Sequence, residues 1–209
     1  MSQKKPFFSV SNLVLIAMFG AMAFILMYLE FPLLFLAPNF YKMDFSELPV
    51  LIGSFALGPV AGIVIEALKI ILKLLFKPTS TAYIGELANF LVGCALVVPA
   101  GIIYKMDHTR KGAFLGMITG TVCMAVAGGL LNAFLLLPWY IANFFGGSAD
   151  VLIQMGQAVH KSVNSVASFA ILLVVPFNLF KAIVISILTL LLYKHVSRLI
   201  QMTIKKNEK

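Results

Sequence analysis

The chain has 209 residues, 61% of them hydrophobic and only 11% charged, with a mean hydropathy of +1.00. A soluble domain is about half apolar and about a quarter charged, so this composition excludes one and points to an integral membrane protein. The net charge of +8 is no nucleic-acid surface either. Lys4, Lys5, Lys105, Arg110, Lys111, Lys194, Arg198, Lys205, Lys206 and Lys209 gather at the ends and in one short loop, which is the positive-inside pattern.

A helix needs about 20 apolar residues to cross the hydrocarbon core. The first predicted helix runs from about Asn12 to Phe31 and stops at Pro32. Its basic leader also suits a signal peptide, but the apolar stretch is too long, has no small-residue cleavage site and precedes further spans, so it reads as retained. Pro32 to Lys42 is a loop of bulky apolar residues, expected to fold onto the protein as a lid. The second helix starts near Asp44, where Asp44-Phe45-Ser46-Glu47 resembles a cap, and ends at Gly58-Pro59. The third covers about Val60 to Phe76, and Lys77 to Thr81 is a loop. The fourth covers about Tyr83 to Tyr104, followed by the basic loop Lys105 to Lys111. The fifth runs from about Ala113 to Leu137 and stops at Pro138, beside the interfacial anchors Trp139 and Tyr140. Within the segment Asn143 to Asn164, Val151 to Val163 is expected to form a short amphipathic helix. The last helix runs from about Val166 to Tyr193. The fold class is therefore all-α membrane protein, a single domain over 1–209. Six transmembrane helices, both termini cytoplasmic and an apolar outer loop between helices one and two satisfy the charge rule.

Asn178 and Lys181 interrupt the last helix. Three residues apart, they share a face, and Pro176 just before them removes a backbone donor and invites a kink. Lysine at membrane depth costs about 2.5 to 3.5 kcal/mol on insertion scales, so it needs a partner and usually marks a ligand or ion site. Asp44, Glu47, Glu86, Asn89 and Asn132 fall on the same outer half and can converge on a cavity with the pair. Glu66 and Lys69, at i and i+3, read as an internal ion pair. Glu86 reads equally well as a loop tether, and Asn132 as interhelical glue. Ala17 and Ala21, with Gly20 and Ala23, flatten one face of helix one, as Gly116 and Gly120 do on helix five. Internal packing is the ordinary reading of such faces; docking of another membrane protein is the other. Cys94 and Cys123 lie in apolar runs and are expected to be buried small hydrophobes. There is no P-loop, His-Glu-x-x-His or Gly-x-Ser-x-Gly, and His108, His160 and His195 have no paired ligand spacing. Neither catalysis, a metal nor a cofactor is expected.

Four segments in order carry a resemblance: Lys42-Met43-Asp44-Phe45-Ser46-Glu47-Leu48-Pro49, Gly58-Pro59-x-x-Gly62, Gly85-Glu86-x-x-Asn89-Phe90 and Pro176-Phe177-Asn178-x-x-Lys181. With Ala17-x-x-x-Ala21, the chain resembles the substrate-binding (S) component of energy-coupling factor vitamin transporters, and within that family the riboflavin-specific members. The resemblance implies a non-enzymatic, high-affinity subunit in a prokaryotic plasma membrane. It would hold riboflavin in an outward-facing pocket beneath the first loop and work with a transmembrane coupling protein and two ATPases. It also implies that Ala17 and Ala21 face the coupling protein and that Asn132, Asn178 and Lys181 contact ligand. The N-terminal histidine motif of cobalt and nickel relatives is absent, which disfavours metal cargo.

The chemistry of a flavin fits these residues. An isoalloxazine edge presents two carbonyl acceptors flanking an N–H donor, which an amide at Asn132 or Asn178 can read while Lys181 donates. Leu33, Leu36, Phe40, Tyr41 and Trp139 can supply apolar walls, and Asp44, Glu47 and Asn89 can meet the ribityl hydroxyls. Two alternatives stay open. Flavin mononucleotide or another vitamin is one, with Lys42, Lys69, Lys73 and Lys77 as a phosphate site. The other is a standalone ion-coupled carrier with Glu66, Glu86 and Lys181 as a proton relay.

Overall fold

The computed structural model describes residues 9–79 and 81–208, with side chains described through Tyr193 and at Met202. Lys4, Lys5, Lys209 and the basic side chains of the tail, on which the expected orientation of the ends depends, lie outside the described residues.

Helix α1, Val10–Tyr28, starts where the Ser9 hydroxyl accepts the Asn12 backbone N–H at 3.4 Å, a side-chain cap for an otherwise orphaned donor. The lid comes next. Its ends are tied by a short antiparallel ribbon, β1 (Phe31–Pro32) with β2 (Lys42–Met43), pairing Phe31 with Met43 and Pro32 with Lys42. Ala37, Pro38 and Met43 are buried, whereas Leu34 and Phe35 stay exposed, so the loop is folded down as its composition demanded.

Helix α2 is Glu47–Leu57 and α3 is Pro59–Phe76, joined at Gly58, whose φ of 93° only glycine adopts without strain. The cap-like start expected at Asp44 is different in kind. Asp44 Oδ1 accepts the Ser46 N–H at 2.8 Å in a turn before the helix, and Ser46 makes no side-chain cap bond. At 11 residues α2 reaches about 16 Å, roughly half the hydrocarbon core, so it cannot cross alone. It packs instead against α1, α3, α4 (Ile84–Met106) and α9 (Val175–Glu208), and nearly every residue is buried. A helix apolar all round belongs at the centre, and α2 is the axis of the bundle. Around it the neighbours run α1, α3, α4, α5 (Arg110–Leu131) and α9.

Among the described residues, four helical stretches are long and apolar enough to cross a membrane: Val10–Tyr28, Ile84–Met106, Arg110–Phe144 and Val166–Tyr193. The third of these corrects the sequence reading, because Pro138 does not stop helix five. A π-helical turn, Asn132–Leu136, widens the backbone just before it, and α6 (Leu137–Phe144) continues the same rod. The widened turn removes the clash between a proline ring and the carbonyl one turn back. The last helix repeats the device: α8 (Val166–Phe169), a π turn at Ala170–Val174, then α9 with Pro176 as its second residue. The two π turns pack on one another. Between these rods, α7 (Asp150–Gln157) is shorter than the Val151–Val163 helix expected, and it buries Leu152 against Leu137, Val163 and Phe169.

Small residues divide into two uses. Gly116 and Gly120 face α4, where an added Cβ would strike the carbonyls of Ala100 and Leu96, so they are internal packing. On α1 the expected single flat face is split. Gly20 and Ala23 are buried, Gly20 against Leu68 of α3, while Ala17 and Ala21 are exposed. Cys94 and Cys123 are free and half-buried rather than fully buried.

Candidate functional site

At the lid end of the bundle lies a cavity of about 240 Å³, close to the lower end of small-molecule sites, which run from about 300 Å³. Each element contributes by its place in the ring. The lid gives Phe40, Tyr41 and Lys42; the approach to α2 gives Asp44 and Glu47; α4 gives Glu86, Asn89, Val92 and Gly93. The π turn of the fifth rod gives Asn132 and Leu136, its continuation Tyr140, and α9 Phe177, Asn178 and Lys181. A π turn rotates the residues beyond it, which brings Phe177 and Asn178 onto the cavity side together.

The lysine in the last helix has its partner. Lys181 Nζ donates to Asp44 Oδ2 at 2.8 Å, both side chains about 5% exposed. Asp44 lies outside the membrane-spanning helices. Burial alone would raise its pKa, but the nearby ammonium groups of Lys181 and Lys69, with hydrogen bonds from Lys181 and Ser46, bring it down to about 2. Below this pair, Lys69 Nζ donates to Glu47 Oε1 at 2.9 Å and to Ser46 Oγ at 3.2 Å, and lies 2.5 Å from Glu66 Oε1. The expected Glu66–Lys69 pair is therefore present, with Glu47 as a third member.

Both amides expected to read the ligand already spend donors on their own helices. Asn132 Nδ2 donates to Gly128 O at 2.8 Å and Asn178 Nδ2 to Val174 O at 2.9 Å. Asn132 Oδ1 accepts the Tyr41 hydroxyl at 2.5 Å, which pins the lid to the fifth rod. Burial pushes the Tyr41 phenol well up, so it stays a donor. Its ring packs on Phe177, and Phe40 lies parallel to Phe169 at 6.4 Å.

The mouth is charged. Glu30 Oε1 accepts Lys42 Nζ at 2.9 Å and Lys77 Nζ at 2.6 Å, bridging the end of α1, the lid and the end of α3. Burial would raise the Glu30 pKa, but its bonds to Lys77 and Lys42 lower it overall. Glu86 Oε2 accepts the Thr79 and Thr81 hydroxyls at 2.9 Å, so it tethers the loop before α4, as one of its two readings held.

Eight of the ten expected ligand residues line this cavity: Phe40, Tyr41, Asp44, Glu47, Asn89, Asn132, Asn178 and Lys181. Leu36 and Trp139 do not. Leu36 closes the lid's own 33–36 turn with its backbone N–H on Leu33 O, and Trp139 packs on Tyr140 and Phe144. The sequence reading missed Leu136, Tyr140 and Phe177 as walls. Leu136 is one turn beyond Asn132, a usable signal, but the side Tyr140 takes depends on the π turn. Of the four lysines named for a phosphate, Lys42, Lys73 and Lys77 reach the mouth, whereas Lys69 is fully buried among carboxylates and cannot serve. The proposed relay is broken up: Glu66 sits with Lys69, Glu86 with the threonines and Lys73, and Lys181 with Asp44.

Residues 11–193 match the family described as ECF transporter, substrate-specific component. The chain belongs to this family. It is 35% identical over 190 residues to the riboflavin transporter RibU of Staphylococcus aureus (strain TCH60), covering 91% of this chain and 92% of that protein. It is 31% identical over 185 residues to the riboflavin transporter FmnP of Bacillus subtilis (strain 168), covering 88% and 90%. A solved structure described as the S component of a bacterial ECF transporter superposes with a TM-score of 0.69 at 34% identity, covering 90% of this chain and 96% of that one. As an S component of this family, the chain is a transport subunit and not an enzyme, and its apolar helices are those of a membrane protein.

Proposed function

We propose that this S component captures riboflavin in the lid-covered cavity, as the high-affinity binding subunit of an ATP-driven energy-coupling factor importer. The observation that carries the reading is the cavity itself. Aromatic walls from the lid and α9 enclose a polar, charged interior formed by Asp44, Glu47, Asn89, Asn178 and Lys181. A flat aromatic ligand with a polar edge and a hydroxylated chain needs both kinds of surface. The naming of its relatives as riboflavin transporters supports the same ligand. Asn178 has its carbonyl oxygen left for the ring N–H, since only its amide nitrogen is spent on the helix.

In this reading the chain crosses a prokaryotic plasma membrane six times with both ends in the cytoplasm, and the lid end faces outward. The short α2 is one of the six passes because α1, α3, α4 and α9 enclose it. The exposed pair Ala17 and Ala21 is the docking face for a transmembrane coupling protein, itself driven by two ATPases. Flavin mononucleotide is the second reading, favoured by Lys42, Lys73 and Lys77 around the mouth.

The test is the absorbance spectrum of the purified chain. The expected result is a co-purifying yellow flavin, or tight uptake of added riboflavin after it is removed. A colourless protein that binds no added riboflavin overturns the reading.

A further inference from the structure

We infer that the buried cluster of Glu47, Glu66 and Lys69 is a proton-binding site, with the proton held on Glu66. Neither Glu66 nor Lys69 lines the cavity, so this site is independent of the ligand bound there.

Five ionisable side chains meet at the inner ends of α2, α3 and α9, all of them buried: Asp44, Glu47 and Glu66 against Lys69 and Lys181. Asp44 and Lys181 neutralise one another. Two carboxyls are left to one ammonium. Lys69 Nζ donates to Ser46 Oγ and Glu47 Oε1, and Glu66 Oε1 crowds it from a third side at 2.5 Å. With both carboxyls ionised, an uncompensated negative charge would sit where the three side chains are at most 1% exposed. Among the described residues no second cation pairs with either carboxyl. A charge buried without a partner neutralises instead, and two carboxylates sharing one site do not both stay ionised.

The hydrogen bonding shows the same deficit from another side. Neither oxygen of Glu66 has a hydrogen-bond partner, and neither has Glu47 Oε2. Buried acceptors are normally satisfied, so three orphans in one place mark a missing donor. One proton answers both deficits. An O–H on Glu66 supplies the donor that Glu47 lacks, and the two carboxyls lie within hydrogen-bond reach of each other. A metal cation suits the site badly, because the Lys69 ammonium already stands between the two carboxyls.

The proton belongs on Glu66 rather than Glu47. Glu47 opens α2, where the positive end of the helix favours its charge, and its Oε1 accepts from Lys69. Glu66 lies inside α3, far from either helix end. Gly93 of α4 makes the room: a Cβ there would strike Glu66 Oε1 and come within 3.1 Å of Glu47 Oε1. The other groups facing the pair are the Cys94 thiol of α4 and, beyond Asp44, Lys181 of α9; α1 brings no charged side chain. Glu47 also lines the cavity, which gives the proton its route between solvent and Glu66. Held there, it keeps an enclosed cluster neutral at membrane depth.

The experiment is infrared spectroscopy of the purified full chain at neutral pH, which separates the C=O stretch of a protonated carboxyl from carboxylate bands. The unsubstituted protein is expected to show that C=O stretch, shifted to lower frequency in D2O. Glu66→Gln copies the shape of the protonated group, so it is expected to fold with an unchanged melting temperature and to lose the band. Glu47→Gln is expected to lose it too, because Glu66 then faces Lys69 one to one and ionises. Glu86→Gln, outside the cluster, is expected to keep it. No band in the unsubstituted protein, a band that survives in Glu66→Gln or Glu47→Gln, or a Glu66→Gln chain that fails to fold overturns the assignment. So does a melting temperature raised by sodium in place of choline with no C=O band, which would give the site to a metal cation.

Discussion

Lys181 sits almost fully buried because Asp44, 137 positions earlier, meets its charge at 2.8 Å. A buried pair is no proof of net stability, but removing one partner leaves the other charge stranded, at about 3 to 5 kcal/mol. Lys181→Met or Asp44→Asn alone is therefore expected to lower the melting temperature in detergent sharply, and the double substitution to recover much of the loss. Single substitutions no worse than a change at exposed Lys111 would show that the pair carries little. The pH dependence has a definite sign. The Asp44 carboxyl titrates near 2 in the folded chain against 3.8 ordinarily, so the pair's contribution is complete above 3.8 and disappears as pH falls through about 2. Thermal stability owed to this pair should stay level from about pH 5 to 8. A steep fall within that window would have to come from another group. At this scale the sequence exposed the anomaly but not its resolution, since a carboxylate on a distant segment leaves no trace beside Lys181.

Two elements depart from ideal geometry in the same way, each with a π turn directly ahead of Leu137-Pro138 or Val175-Pro176. The proline lacks an N–H and crowds the preceding turn, so widening that turn accommodates the ring without ending the helix. The consequence lies in the cavity, because the extra residue in the turn sets which way Asn132, Phe177 and Asn178 point. Pro176→Ala restores the donor and removes the reason for the wide turn. A regular helix there would rotate the residues on one side of it by about 100°, from 3.6 residues per turn. Flavin affinity is expected to fall at least about tenfold while the melting temperature holds or rises, since proline in a helix interior costs about 3 kcal/mol. Full affinity in Pro176→Ala would mean that packing, not proline, holds the π turn. Prolines 138 and 176 were plain in the sequence. Their effect was not, because the choice between stopping, kinking and widening depends on whether the next segment can pack in line.

For the molecule as a whole, the proposed docking face on the exterior of α1 is where binding and transport would separate. Gly20 and Ala23 are spent on α3, whereas Ala17 and Ala21 lie exposed beside Leu13, Val14, Met18 and Met22. Ala17→Trp adds bulk on an exposed part of α1. It is expected to leave flavin affinity unchanged and to reduce uptake severalfold in cells that hold the assembled transporter, measured with labelled riboflavin. Equal loss of binding would return Ala17 to internal packing; full uptake would place the docking face elsewhere.

Composition, hydropathy and the placement of lysines determined that this is a helical membrane protein, and the order of short polar motifs pointed to its family. These properties are local: a run of apolar residues makes a spanning helix whatever its neighbours, and Asn178 and Lys181 share a face by helix period alone. The tertiary structure decided that α2 is a central, enclosed helix, that Lys181 belongs to Asp44 and Lys69 to Glu47 and Glu66, and that Leu36 and Trp139 do not line the cavity. It also decided which buried polar atoms find partners. Pairing and orientation depend on which segments meet, and segments far apart in the chain compete for the same few buried donors and acceptors.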